Sequence, residues 1–95
     1  MSEETNMENL EEIEQHRDQI DAIDKEIVAL LNKRASHSLV IRGLKPGANM
    51  GLYDARREEE IFSKIASYNE GPLYNEYLRE IYSTILKVMK ETPSV

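Results

Sequence analysis

Read in alternating steps of three and four from Leu10, the chain places Leu10, Ile13, Arg17, Ile20, Asp24, Ile27, Leu31, Arg34, Ser38, Ile41 and Lys45 on one helical face. That is an a/d seam, the pattern by which one long helix packs against another. Strand-like alternation is hard to find anywhere. Chain-breaking residues are concentrated at Pro46-Gly47-Ala48-Asn49-Met50-Gly51, at Asn69-Glu70-Gly71-Pro72 and at Thr92-Pro93-Ser94. The pattern therefore predicts an all-α fold of three helices, one long over residues 8–44 and two shorter over 54–68 and 75–91. Asp54 and Asn75 stand where a side-chain oxygen can cap the second and third helices, and Glu58, Glu59, Glu60 and Glu76 put negative charge near the positive ends of their dipoles. Residues 1–9 read as a flexible acidic N-terminus, 10–92 as the helical domain and 93–95 as a short tail.

Arg17, Arg34 and Lys45 are out of place on an apolar seam, because Lys and Arg belong on the solvated flanks of such a helix. Either they have structural ion-pair partners, Asp24 for example, or they hold an anionic ligand. Length adds a second constraint. A helix over residues 8–44 would be about 55 Å long at about 1.5 Å per residue, more than the two shorter helices of the same chain can cover. A second copy of the chain is the simplest cover. Arg34 and Lys45 lie about 16 Å apart along the axis, within joint reach of one small dicarboxylate, whereas Arg17 lies about 25 Å from Arg34. In an antiparallel two-fold pair crossing near Val28, Arg17 of the second chain comes opposite the stretch between Arg34 and Lys45. Two equivalent sites result, each with cations from both chains.

Composition narrows the function. Twelve Lys+Arg against 18 Asp+Glu leave a net charge of −6, which argues against general affinity for nucleic acid or an anionic membrane, so any anion must be held by a local cluster of cations. The absence of cysteine removes disulfides, thiolate metal sites and a cysteine nucleophile together, and points to a cytoplasmic protein. The opening MSEETNMENLEEIEQHR is the reverse of a targeting peptide, and no apolar run approaches the roughly 18 residues needed to span a bilayer. His16 and His37 read as ordinary helix residues, so neither a metal nor a cofactor is expected.

The second helix opens Leu52-Tyr53-Asp54-Ala55-Arg56-Arg57-Glu58-Glu59-Glu60-Ile61. It is either a solvated charge run or a mouth at which Glu58 turns inward to a ligand hydroxyl while Arg57 holds the Asp54 loop. The order Arg17-Asp18-Gln19-Ile20-Asp21 through Lys33-Arg34, then Lys45, then Tyr53-Asp54-x-x-Arg57-Glu58, then Gly71-Pro72-Leu73 resembles the all-helical (AroQ-type) chorismate mutases over about residues 10–92. The resemblance implies an intertwined helical homodimer. It also implies a cofactor-free rearrangement of chorismate to prephenate in aromatic amino acid biosynthesis, by a free-standing enzyme or one fused to a neighbouring pathway enzyme.

By position, the resemblance makes Arg17 the arginine contributed across the dimer, Arg34 the second carboxylate-binding arginine and Lys45 the lysine at the ether oxygen and a carboxylate. Asp54, Arg57 and Glu58 surround the ring hydroxyl, and Ile41, Ile61 and Leu86 form the apolar wall. Arg34, Lys45 and Glu58 are then the catalytic set. The chain departs from the pattern in the third helix: Met89 stands at the family's serine and Pro93 at its glutamine or glutamate, which removes one acceptor and one donor to substrate and implies weakened activity. Pro46 directly after Lys45 biases that residue away from helical backbone and re-aims it. An isochorismate-pyruvate lyase, or a non-catalytic ligand-sensing or assembly module, are the alternatives on the same scaffold. Tyr74, Tyr77 and Tyr82 are expected to pack in the core or interface, a partner surface being the alternative.

Sedimentation equilibrium at micromolar concentration is expected to give twice the chain mass, and Leu31→Asp, which places a charge on the seam, is expected to lose dimer and helical signal together. A compact monomer of the parent chain would sink this expectation.

Overall fold

The computed structural model describes residues 3–48 and 54–94. Of the residues singled out above, Asn49, Met50, Gly51, Leu52 and Tyr53, with Met1, Ser2 and Val95 of the two termini, lie outside the described residues. Helix α1 runs Glu3–Leu44, α2 runs Ala55–Tyr68 and α3 runs Asn75–Glu91, with a short 3-10 turn at Pro46–Ala48. The chain divides into two units between Arg34 and Ala35. Among the described residues no helix is long and apolar enough to cross a membrane.

In the unit that ends at Arg34, α1 starts five residues before the predicted position, with Glu3 and Glu4 in its first turn, where the exposed amide groups favour negative charge. No residue of α1 is buried. The seam side chains Leu10, Ile13, Ile20 and Ile27 are each between 46% and 62% exposed, a run of apolar surface on one face.

In the unit from Ala35, the last turns of α1 half-bury Ala35, Ser38, Leu39, Arg42 and Lys45. The predicted seam positions Ser38 and Lys45 are among them, while the seam residue Ile41 is 54% exposed and Arg42 takes the sheltered place beside it. The helix stops at Leu44 because Lys45 precedes Pro46, yet the Lys45 amide still donates to the Ile41 carbonyl at 3.0 Å and closes the last turn.

Helices α2 and α3 pack against each other. Glu58, Ile61, Phe62, Ile65 and Asn69 are half-buried on α2 and its cap, as are Leu78, Tyr82 and Ile85 on α3, each set at three- and four-residue spacing. Leu86 and Met89 are the buried hydrophobic residues among those described. Arg79 lies 4.1 Å over the Phe62 ring and 3.0 Å from Glu59, joining the two helices from the outside. Tyr82 is half-buried as expected of a packing residue, whereas Tyr74 and Tyr77 are exposed and stack on each other with ring centres 5.8 Å apart.

Asp54 caps α2 as predicted, its Oδ1 accepting from the Arg57 amide at 3.0 Å. Asn75 does not cap α3. The cap position is Tyr74, which makes no side-chain capping bond, and Asn75 is the first helical residue, its Oδ1 accepting from Asn69 Nδ2 at 2.7 Å. Asn69 organises this whole connection, donating also to the Leu73 carbonyl at 2.7 Å and accepting from the Gly71 amide at 2.9 Å. Because helical backbone already begins at residue 75, its side chain stands one position past the cap and serves the connection instead.

Gly71 has φ +79°, in the left-handed region, and a methyl group placed there would meet no atom within 4 Å, so the glycine is required by backbone conformation alone. Gly71→Ala is expected to lower stability by about 1–2 kcal/mol, or roughly 4–8 °C in melting temperature per kcal/mol for a domain of this size. Gly47→Ala, where φ is ordinary and space is equally open, is the control and should melt near the parent.

Candidate functional site

Within the unit from Ala35, the polar groups gather where α2 begins and α3 ends. The Asp54 cap starts α2, and the Glu58 amide returns to the Asp54 carbonyl at 3.1 Å, so the first turn carries Arg57 and Glu58 at fixed positions. Their side chains part company there. Glu58 is only 21% exposed and its Oε2 lies 2.7 Å from Lys90 Nζ, while Glu59 and Glu60 are 68% and 50% exposed. Glu58 is therefore the most sheltered of the three carboxylates, and the stretch is not a uniform solvated run. Arg57 does not hold Asp54 through its guanidinium. Its backbone amide does so, and the guanidinium pairs 3.5 Å away with Glu60 on the exposed side.

Across from α2, the end of α3 is gripped by a residue outside the predicted set. Arg42 donates from Nη1 to the Thr92 carbonyl at 2.6 Å, and from Nη2 to the Met89 carbonyl at 2.6 Å and the Lys90 carbonyl at 3.0 Å. These are carbonyls that a helix C-terminus leaves without intrahelical partners, and the negative end of the dipole favours a cation there. A planar fork of five donors suits several convergent acceptors in a way that the lysine point charge does not. Helix α3 stops at Glu91, with Thr92 extended and its amide returning to the Val88 carbonyl at 3.0 Å, so position 93 is not carried on the helix. Met89, predicted to line the site, is buried, as is Leu86. Ile61 is half-buried and Ile41 exposed.

Lys45 is half-buried at the end of α1, with its backbone held by the bond to Ile41. In the other unit, Arg34 is half-buried at the boundary, and Arg17 is open to solvent, its Nη1 2.8 Å from Glu14. The ion-pair partner of Arg17 is thus one turn away and not Asp24, which lies about 10 Å further along the axis. With 68% and 62% of the two side chains exposed, that pair contributes about 0–1 kcal/mol and leaves the guanidinium easily recruited.

Arg42 and Lys90 are the polar residues that the sequence did not single out. Arg42 could have been found by noting a cation in the last turn of α1, one step off the seam; Lys90 by its position in the last turn of α3, directly after Met89.

An all-helical chain with carboxylate and cation gathered at one end of a helix pair also matches known proteins in sequence and shape. Residues 16–92 match the chorismate mutase type II family. The chain is 40% identical over 81 residues to a bifunctional chorismate mutase/prephenate dehydratase of Aquifex aeolicus, and 37% identical over 71 residues to one of Neisseria gonorrhoeae. These alignments cover 81% and 75% of this chain but 22% and 19% of the relatives, so the chain spans about a fifth of their length. The solved chorismate mutase (Form II) of Thermus thermophilus superposes with a TM-score of 0.82 at 28% identity, covering 88% of this chain and 99% of that one. Form I of the same enzyme gives 0.79 at 29%, covering 82% and 98%. The chain belongs to the chorismate mutase type II family, the all-helical class of this isomerase.

Arg42→Lys is expected to loosen the end of α3, because one ammonium cannot reproduce the three bonds. Stability should fall by about 1–3 kcal/mol in chemical denaturation, and amide exchange should quicken at Val88–Thr92. Unchanged exchange there would mean that the fork does not hold the helix end.

Proposed function

We propose that this chain catalyses the [3,3] rearrangement of chorismate to prephenate in the biosynthesis of phenylalanine and tyrosine, as a homodimer with two shared sites. The observation that carries this reading is that the matched span, residues 16–92, contains Arg17, Arg34, Lys45, Asp54, Arg57 and Glu58 in the order of the motifs. The exposed seam on α1 supports the dimer, since a stripe of half-exposed isoleucine and leucine calls for a covering helix.

The reaction breaks one C–O bond and forms one C–C bond within a single molecule, with no proton exchanged and no covalent intermediate. Catalysis then rests on shape and charge. Arg17 of one chain and Arg34 of the other clamp the two carboxylates, holding the enolpyruvyl group over the ring in a near-attack conformation. Lys45 stabilises the negative charge that grows on the ether oxygen as the bond stretches, an interaction stronger in the transition state than in the bound substrate. Glu58 accepts from the ring hydroxyl, with Asp54 and Arg57 fixing the turn that presents it. Ile41, Ile61, Leu86 and Met89 supply apolar surroundings in which these charges act at greater strength. Position 93 contributes no donor, so the chain is expected to be a slow mutase unless another side chain supplies one.

Incubating the purified chain with chorismate and, separately, with isochorismate reads the reaction from loss of the diene absorbance and the product formed. Prephenate from chorismate is expected; salicylate and pyruvate from isochorismate would identify a lyase, and no turnover of either a binding module. For the shared site, Arg17→Ala and Lys45→Ala homodimers are each expected to be inactive, and mixing them to recover activity. Random exchange gives half heterodimers with one intact site of two, hence about a quarter of parent activity. Exchange demonstrated without recovery would exclude a site built from both chains.

A further inference from the structure

The ion pair between Lys90 and Glu58 has no part in the assignments above, although one of its members is the carboxylate placed at the ring hydroxyl. Lys90 Nζ is 2.7 Å from Glu58 Oε2, and the lysine side chain is 47% exposed against 21% for the glutamate, so the ammonium stands on the open side of the pair. A cation in the last turn of a helix would ordinarily be explained by the C-terminal carbonyls. Here Arg42 already bonds the carbonyls of Met89, Lys90 and Thr92, and the Lys90 ammonium is turned to the beginning of α2 instead. The same stretch of α3 lacks the donor that the resemblance places at residue 93: proline has no side-chain donor, and the helix ends two residues before it. Lys90 lies one turn earlier on that helix, with a four-carbon stem long enough to cover the difference.

We propose that Lys90 is a substrate-contacting cation of this site, its ammonium held by Glu58 and donating to the ether oxygen of the enolpyruvyl group. The proposal rests on the mutase reading above and adds to it a residue and a role. An ammonium carries three donors about a rotatable stem, so it can keep Glu58 and meet a substrate oxygen together. Glu58 then has two tasks, accepting from the ring hydroxyl and orienting the cation. The chain does not lack a second donor at the breaking bond; it supplies one from residue 90 as a full positive charge. Such a charge is strengthened in the transition state, where negative charge collects on that oxygen.

The test compares the parent chain with Lys90→Met, which keeps the stem and removes the charge. Readouts are kcat and KM for chorismate, the dissociation constant of a bicyclic ether dicarboxylate that mimics the transition state, and the melting temperature. A substrate contact predicts a fall of roughly 10²-fold in kcat, a smaller change in KM and weaker binding of the mimic, with the melting temperature close to that of the parent. Should Lys90→Met not fold, Lys90→Gln, which keeps a donor for Glu58, carries the same comparison with an expected loss of at least about tenfold. Turnover and mimic binding within about threefold of the parent would overturn the proposal while leaving the mutase reading intact. A parent chain that binds the mimic without turnover fails the mutase reading alone, and the role of Lys90 is then read from the mimic. No turnover and no binding by the parent overturns both.

Discussion

Three carbonyl oxygens at the end of α3 converge on the guanidinium of Arg42, and the arrangement of the unit from Ala35 depends on that convergence. The last turn of a helix frays easily because its carbonyls have no partners within the helix. By taking those of Met89, Lys90 and Thr92, Arg42 fixes the end of α3 against the end of α1 and presents the Lys90 side chain at one place. Glu58 is likewise fixed, since the Asp54 cap sets where α2 begins. Two helix ends of opposite polarity are thereby brought together, each tied down by a side chain of the opposite charge to its dipole. The Lys90–Glu58 pair joins two such fixed ends, which makes a partly exposed ion pair well positioned even though it is weak as a source of stability.

Much of this was legible in the residues. Helix types followed from three- and four-residue spacing and from the concentration of Gly, Pro and Asn at the breaks, and the C-terminal limit of α3 was found because Thr92-Pro93 cannot continue a helix. The Asp54 cap followed from local chemistry within three residues. What spacing could not supply was competition at a distance. Asn75 has the chemistry of a cap, yet the connection organised by Asn69 begins the helix at Asn75 itself and leaves the cap position to Tyr74. Arg42 belongs by periodicity to the flank of α1, and only the nearness of carbonyls about fifty residues later in the chain makes its sheltered position favourable. The start of α1 at Glu3 was missed for a different reason: a polar, acidic sequence without an apolar stripe can still be helical when its first turn matches the dipole.

The charge balance of the chain has its own logic. A net charge of −6 repels a dianionic ligand at long range, but the repulsion is screened beyond about 10 Å at ordinary salt, whereas cations within a few ångströms of a sheltered anion are screened much less. The acid excess can therefore keep the surface from binding anions indiscriminately while a handful of cations still selects one. Arg57 shows the sorting at work, because its guanidinium pairs with Glu60 on the exposed side and is neutralised there. Glu58 shows the converse, a carboxylate held on the sheltered side by the ammonium of Lys90. Adjacent residues on one helix turn thus carry opposite charges in opposite directions, a separation that composition cannot reveal and that only the packing of α2 on α3 imposes. Charge near the candidate site is set by these directions, so a change that rotated α2 by one residue would bring Glu59 in and carry Lys90's partner out, exchanging a held cation for an open one without altering the net charge at all.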